Sequence, residues 1–322
     1  MNNLIHRHHR NPILKAEDVP YHATLTFNAG VTKYKGVYVM VFRNDYGDES
    51  TRKLHGTNLG LAYSDDGVHW EVQPKPCFQL SDEHIICVND PRLTIINDLC
   101  YITFAVITRQ GVRGGLAVTD NFKDFKILDI TLPDNRNLVL FPEKINNKYI
   151  RLERPFSLYM NSSERFDIWL SESHDLRYWG DSRLVLKSES VPYCNNRIGA
   201  GAPPIKTKHG WLAIFHAVSR YAETIYNGWE GTWNKEYVAG VMLLDLENPS
   251  KVKALADRPL ITPEASYELH GFRGNVVFPG GCVLEEDGEV KIYYGAADTV
   301  EALITTNLDD LIEFTLTNSL IK

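Results

Sequence analysis

The chain has 322 residues, 43% of them apolar and 23% charged, which is an ordinary globular balance with room for a large core. Its net charge of -7 argues against a nucleic-acid protein, whose contact face would be basic, but leaves a small anionic ligand open because local charge decides that. Five irregularly spaced cysteines do not make a disulfide framework, no apolar run nears the ~20 residues of a membrane span, and a cytoplasmic location is the expectation.

The N-terminal "MNNLIHRHHRNPIL" is basic but lacks the apolar core of a signal peptide. Its "HRHH" run reads as a flexible terminal tract rather than a metal site. From there on, helical periodicity is scarce and short β-rich runs recur between Gly, Asn and Asp turns. The first triplet of runs is "FNAGVTKY" (27–34), "VYVMVFRN" (37–44) and "LGLAYSDDGVHW" (59–70). The second is "CVNDPRLTII" (87–96), "CYITFAVI" (100–107) and "GGLAVTDNFKDF" (114–125). The third is "VLFPEKIN" (139–146), "KYIRLERP" (148–155) and "FDIWLSESHDLRYW" (166–179). The fourth is "GAPPIKTK" (201–208), "GWLAIFHAV" (210–218) and "YVAGVMLLDLENPSKV" (237–252). The fifth is "NVVFPGGCVLEE" (275–286), "VKIYYGAAD" (290–298) and "EALITTNLDDLIEF" (301–314). Cys87, Cys100 and Cys282 fall in these apolar runs and read as buried thiols.

Five matching units predict an all-β chain, a five-bladed β-propeller formed as a single domain over residues 1–322. The unequal spacing calls for insertions around 156–165 and 219–236. A β-sandwich is the rival, but it does not predict five matching triplets.

A propeller brings the ends of its inner strands to one mouth. That would gather Asn28, Asp90, Asn137 and Asn275 from first strands with Arg43, Arg154, His216 and Asp298 from second strands. Singly, each has a bland role: Asp90 as a turn residue, Arg43 and Arg154 as surface ion pairs, His216 as a core histidine. Together the cations Arg43, Arg136, Arg154 and Arg197, with His216, outnumber Asp90 and Asp298. Clustered guanidiniums suit a phosphate or a carboxylate. An inverting glycosidase needs a second carboxylate to activate water, whereas a phosphate nucleophile brings its own charge. One acid beside a cationic hole is therefore expected. Tyr46, Phe141, Tyr237 and Phe278 are candidates to stack on a sugar ring. No HExxH, paired CxxC, GxSxG, Walker-type or dinucleotide motif is present, and no metal or cofactor is expected.

At these residues the chain resembles glycoside hydrolase family 130, through "NPIL", "NDPRLT", "LVLFPEKINNKYIRLERP", "RIGAGAPPIKTKHGWLAIFHAV", "GVMLLDLENP", "NVVFPGG" and "IYYGAADT". The resemblance covers nearly the whole chain. It implies a five-bladed propeller that cleaves β-mannosides with inorganic phosphate, by inversion, to α-mannose 1-phosphate. It implies Asp90 as the general acid, acting through a hydroxyl of the -1 mannose. It assigns phosphate to Arg136, Asn137, Arg154, Arg197 and His216, and the -1 sugar to Asn28, Arg43 and Asp298, with Tyr237 near phosphate or sugar. Expected partners are an oligosaccharide and phosphate, neither nucleic acid nor membrane, and a second copy of the chain, since family members are often oligomers. Two positions depart from the family pattern: Asn89 stands where Glu or Tyr is common, and Arg197 where Lys is common. The alternatives are a β-mannosidase using Glu143 or Glu153 as base, and a non-catalytic glycan-binding propeller. Segments 44–58 and 219–236 are the expected acceptor loops.

Overall fold

The structure, a computed structural model, describes residues 4–48, 50–80, 82–156, 165–223, 229 and 233–321. After a short strand β1 (His6–Arg7), the first blade runs through β2 (Leu25–Tyr34), β3 (Val37–Asp48), β4 (Lys53–Ser64) and β5 (Glu71–Val72). The second holds β6 (Ile85–Ile96), β7 (Leu99–Thr108), β8 (Gly111–Thr119) and β9 (Lys126–Ile130). The third holds β10 (Asn135–Leu140), β11 (Tyr149–Pro155), β12 (Ile168–Ser173) and β13 (Gly180–Leu186). In the fourth, β14 (Arg197–Ala200) and β15 (Ile205–Thr207) share one partner, β16 (Gly210–Arg220), followed by β17 (Lys235–Leu244) and β18 (Val252–Leu255). A helical turn, α1 (Ser266–Leu269), precedes the fifth: β19 (Val277–Leu284), β20 (Glu289–Ala296) and β21 (Val300–Asn307), and α2 (Leu308–Thr317) follows it. Pairing within blades is antiparallel. Inner strands pack side by side around an axis, β2 on β6, β6 on β10, β10 on β14, and β19 back on β2.

The apolar core lies between blades. In β3, Val39 and Val41 enter the cluster shared with the second blade, while Tyr38, Met40 and Phe42 enter the one shared with the fifth. In β16, Trp211, Ala213, Phe215 and Ala217 face the third blade and Leu212 and Ile214 face the fifth. A strand alternates its side chains between two faces, so a strand buried on both reads as an unbroken apolar run. That is why "VYVMVF" and "WLAIFHAV" show no polar alternation. Burying each such side chain stabilises by about 1.5–3 kcal/mol relative to exposure.

Two expectations fail at the termini. His6 and Arg7 are not a loose tract: they form β1 and pair with Thr305 and Ile304 of β21. The last blade lacks an outer strand of its own, and the N-terminus supplies it and closes the ring. Arg7 reinforces the closure by donating to Glu268 at 2.9 Å. The run 301–314 is not one strand with a turn. It breaks at Asn307, whose side chain accepts from the Asp309 amide at 2.9 Å and starts α2. Leu311, Ile312 and Thr315 form the buried face of that helix.

The segment 44–58 is likewise ladder more than loop, with Asn44 opposite Asn58 and Asp48 opposite Lys53. Most of the expected insertion 156–165, and much of 219–236, falls outside the described residues. All five cysteines are free thiols; Cys100 is buried, whereas Cys87 and Cys282 are only partly so. Among the described residues no helix is long and apolar enough to cross a membrane.

Candidate active site

The first three inner strands carry the same irregularity at the same place. Asn28 and Ala29 oppose Phe42 alone, Asp90 and Pro91 oppose Phe104, and Asn137 and Leu138 oppose Glu153. Each first member is left-handed, with φ of 52° at Asn28, 53° at Asp90 and 57° at Asn137. Asn and Asp tolerate that conformation better than other residues with a side chain, and a two-against-one bulge re-aims the side chain. Asn275 and Asp298 of the fifth blade are left-handed as well. The positions near the axis are tight: a Cβ on Gly280 would lie 2.1 Å from the Ala29 carbonyl oxygen.

These bulges deliver their side chains to one cavity of ≈ 220 Å3. All ten residues given catalytic, phosphate or sugar roles line it, Asn28, Arg43, Asp90, Arg136, Asn137 and Arg154, together with Arg197, His216, Tyr237 and Asp298, whereas Asn275, also expected at the mouth, is not among the lining residues. Asn89 and Phe278 line it too. Tyr46 and Phe141 do not: Tyr46 packs on His22, and Phe141 is fully buried edge-on against Trp211. Trp233 and Arg273 are lining residues that the sequence reading missed. Arg273 stands two positions before Asn275, much as Arg136 directly precedes Asn137, and that parallel was the available signal. Trp233 lies in a stretch with no strand periodicity to flag it.

Asp90 is held on both oxygens. Oδ1 accepts from Asn28 Nδ2 at 2.9 Å and Arg43 Nη1 at 3.3 Å, and Oδ2 accepts from Arg136 Nη2 at 2.5 Å. Burial alone would raise its pKa, but Arg43 and Arg136, with Asn28, outweigh it and hold the carboxyl well below the usual range. Arg43 is fixed in turn by a two-pronged bond to Asp45, at 2.9 and 2.7 Å. Arg92, two residues after Asp90, makes no ion pair with it. Its guanidinium donates to the carbonyls of Gly201 at 2.6 Å, Pro91 at 2.7 Å and Pro279 at 3.2 Å, tying three blades at the axis. Asp298 accepts from Arg273 at 3.1 Å, and burial keeps its pKa raised despite Arg273 and Arg43.

The opposite wall is different. Arg154 is buried, and among the described residues no carboxylate pairs with it. Its Nη1 donates to His216 Nε2 at 3.1 Å. Because an arginine can only donate, His216 accepts there and carries its proton on Nδ1. Burial first, and then Arg154, Arg92 and Arg136, hold His216 neutral. Burial, Arg136 and Arg197 push the Arg154 pKa down. Arg197 bonds Asn196 at 2.6 Å. Tyr237 stacks between His216 and Trp233, with ring centroids 6.0 Å away on each side. Buried polar atoms without a protein partner gather on this cavity: Arg136 Nε, Asn137 Oδ1, Arg154 Nε, His216 Nδ1, Asn28 Oδ1 and Asn89 Oδ1. Buried polar atoms are rarely left so, and their concentration marks a polar ligand site.

Neither candidate base reaches the cavity. Glu143 pairs with Lys206 at the surface at 2.6 Å, and Glu153 is held by Arg151 at 3.0 Å and Asn135 at 3.1 Å. Among the described residues no three His, Cys, Asp or Glu side chains could hold a metal ion.

Residues 5–317 match a family profile described as beta-1,4-mannooligosaccharide phosphorylase. The chain is 31% identical to the beta-1,2-mannobiose phosphorylase of Listeria innocua, over 92% of this chain and 94% of that one. It is 32% identical to the beta-1,4-mannooligosaccharide phosphorylase of Ruminococcus albus, over 98% and 92%. The solved Listeria innocua beta-1,2-mannobiose phosphorylase in complex with beta-1,2-mannobiose superposes with a TM-score of 0.84 at 28% identity, covering 98% of this chain and all of that one.

Proposed function

The chain belongs to glycoside hydrolase family 130, and from that premise we propose that it is an inverting β-mannoside phosphorylase yielding α-mannose 1-phosphate. The observation that carries this reading is the grouping of Arg154, Arg136 and Arg197 with neutral His216 around the same cavity as Asp90. A buried guanidinium without a carboxylate is costly unless an anion answers it. Phosphate does so, and a forked donor matches its oxygens.

In this reading Asp90 is the general acid. Its proton passes through a hydroxyl of the -1 mannose to the glycosidic oxygen, and phosphate attacks the anomeric carbon from the opposite face. Arg136, Asn137, Arg154, Arg197 and His216 hold phosphate. Asn28, Arg43 and Asp298 hold the -1 sugar, and Tyr237 closes the join between the two. The cavity offers a hydrolase little, because Glu143 and Glu153 are committed to ion pairs away from it. The two relatives act on different linkages by name, so the acceptor has to be read directly.

Reverse synthesis tests the proposal. Incubation with α-mannose 1-phosphate and glucose, N-acetylglucosamine or mannose should release phosphate with at least one acceptor. No release with any of them, in a protein that also turns over no manno-disaccharide, would count against a phosphorylase and for a glycan-binding propeller.

A further inference from the structure

The two oxygens of Asp90 are held by different parts of the molecule. Oδ1 is anchored by Asn28 and Arg43, both of the first blade, and Arg43 is itself locked to Asp45. Oδ2 is held by Arg136 of the third blade. Arg136 belongs equally to the cationic wall: it precedes Asn137, its backbone pairs with Arg154 across the sheet, and its buried Nε has no partner in the protein. It therefore sits between one carboxylate and the repelling guanidiniums of Arg92 and Arg154.

A general acid must carry a proton, and a carboxylate gripped by an arginine does not readily take one. We propose that Arg136 couples phosphate binding to arming of the acid: an arriving phosphate draws the guanidinium off Asp90 Oδ2, which then takes up the proton that catalysis needs. This rests on the phosphorylase reading. Oδ1 stays anchored throughout, so Asp90 keeps its aim while its other oxygen changes partner. Other charged or titratable groups facing Asp90 are Arg43, Arg92 on its own strand, Arg154, His216, Asp298 and the Cys87 thiol. Of the two arginines bonded to Asp90, Arg43 already has a second carboxylate, and only Arg136 adjoins the wall that would hold phosphate.

The proton balance closes. On phosphorolysis the C1–O glycosidic bond breaks, the C1–O phosphate bond forms, and the leaving sugar oxygen takes the proton that Asp90 supplied. Hydrogen phosphate dianion enters with a proton that the departing ester dianion lacks, so a full cycle consumes none. When mannose 1-phosphate leaves, Arg136 closes again on Oδ2. A site without phosphate thus holds its acid ionised, which disfavours cleavage before the nucleophile is in place.

The test is the titration of the Asp90 carboxyl in aspartate-13C-labelled protein, its resonance assigned by its absence in Asp90→Asn. It is followed without anion, at saturating phosphate, and at saturating sulfate, which does not titrate in the working range. In the wild type either anion should raise the midpoint by about 1 to 3 pH units, the usual effect of an opposite charge at contact distance. In Arg136→Gln the midpoint should already be high, with little further rise on adding anion. In Arg154→Ala, which retains Arg136, more anion should be needed but the same end point reached. A midpoint unmoved in the wild type would overturn the coupling. So would an anion-induced rise of equal size in Arg136→Gln, which would assign the effect to the anion's charge alone. Phosphate-dependent turnover without the shift refutes the coupling only, and the shift without phosphate-dependent turnover refutes the phosphorylase reading only.

Discussion

The two walls of the cavity solve opposite electrostatic problems. On the wall from the first, second and fifth blades, every arginine bonded in the cavity has a carboxylate: Arg43 has Asp45 and Asp90, and Arg273 has Asp298. Those side chains are fixed in advance, and what they present is a rigid set of hydrogen-bonding groups suited to a neutral sugar. On the wall from the third and fourth blades, Arg154 lies beside Arg136, Arg197 and a neutral histidine, with no carboxylate of its own among the described residues. Arg154 is the buried guanidinium there that an anion would answer. The contrast teaches that excess positive charge is a feature of one half of the site, although the chain as a whole carries -7.

The largest break in this comparison should come from Asp90→Asn. Loss of a general acid removes about 10²- to 10⁴-fold in rate. Turnover should fall in both directions while unfolding stays cooperative and phosphate still binds, measured by steady-state kinetics, thermal melts and calorimetry. Near-normal turnover would dissolve the distinction between the walls.

Arg154→Ala comes next and should act on one wall only. A charge-assisted hydrogen bond contributes about 1.5–3 kcal/mol, so the KM for phosphate should rise roughly 10- to 100-fold with the KM for the glycoside little changed. Equal loss in both constants would mean that Arg154 supports the whole cavity.

A smaller effect should follow from Gly199→Ala. The new Cβ would stand 2.5 Å from His216 Cε1 and 3.2 Å from Arg154 Nη1. Overpacking of this kind costs about 1–3 kcal/mol, and it should appear as weaker phosphate binding rather than weaker sugar binding.

The smallest effect concerns the support beneath the wall that carries Asn28. Glu301 is fully buried and accepts the Ala29 amide at 3.0 Å, next to the Asn28 bulge. Burial pushes its pKa up to about 8, against 4.5 for an ordinary glutamate. Between those two pH values the folded chain binds one proton more than the unfolded chain, so stability falls as pH rises, at no more than about 1.4 kcal/mol per pH unit. Glu301→Gln keeps the acceptor and removes the titration. Its urea-unfolding stability should lose less across that window than the wild type does. Parallel curves would show that Glu301 is ionised throughout.

The repeats made the blades legible because each strand buried on both faces leaves a long apolar run. Site residues could be gathered because they follow those runs at equivalent places. The left-handed bulges were not visible, since Asn and Asp also mark simple turns. The role of Arg92 was not legible because its partners are carbonyls distant in sequence. The N-terminal strand escaped notice because ring closure joins residues 6 and 305, and no local pattern carries that pairing. Trp233 and Arg273 were missed for the related reason that they lie before strands rather than within them.

The central claim is that the cationic wall holds the nucleophile itself. The most direct measurement is a time course on a manno-disaccharide with and without inorganic phosphate, the sugar products followed by NMR. The account predicts α-mannose 1-phosphate appearing in step with phosphate consumption, and almost no cleavage when phosphate is left out. Free mannose released at the same rate in both samples would contradict it.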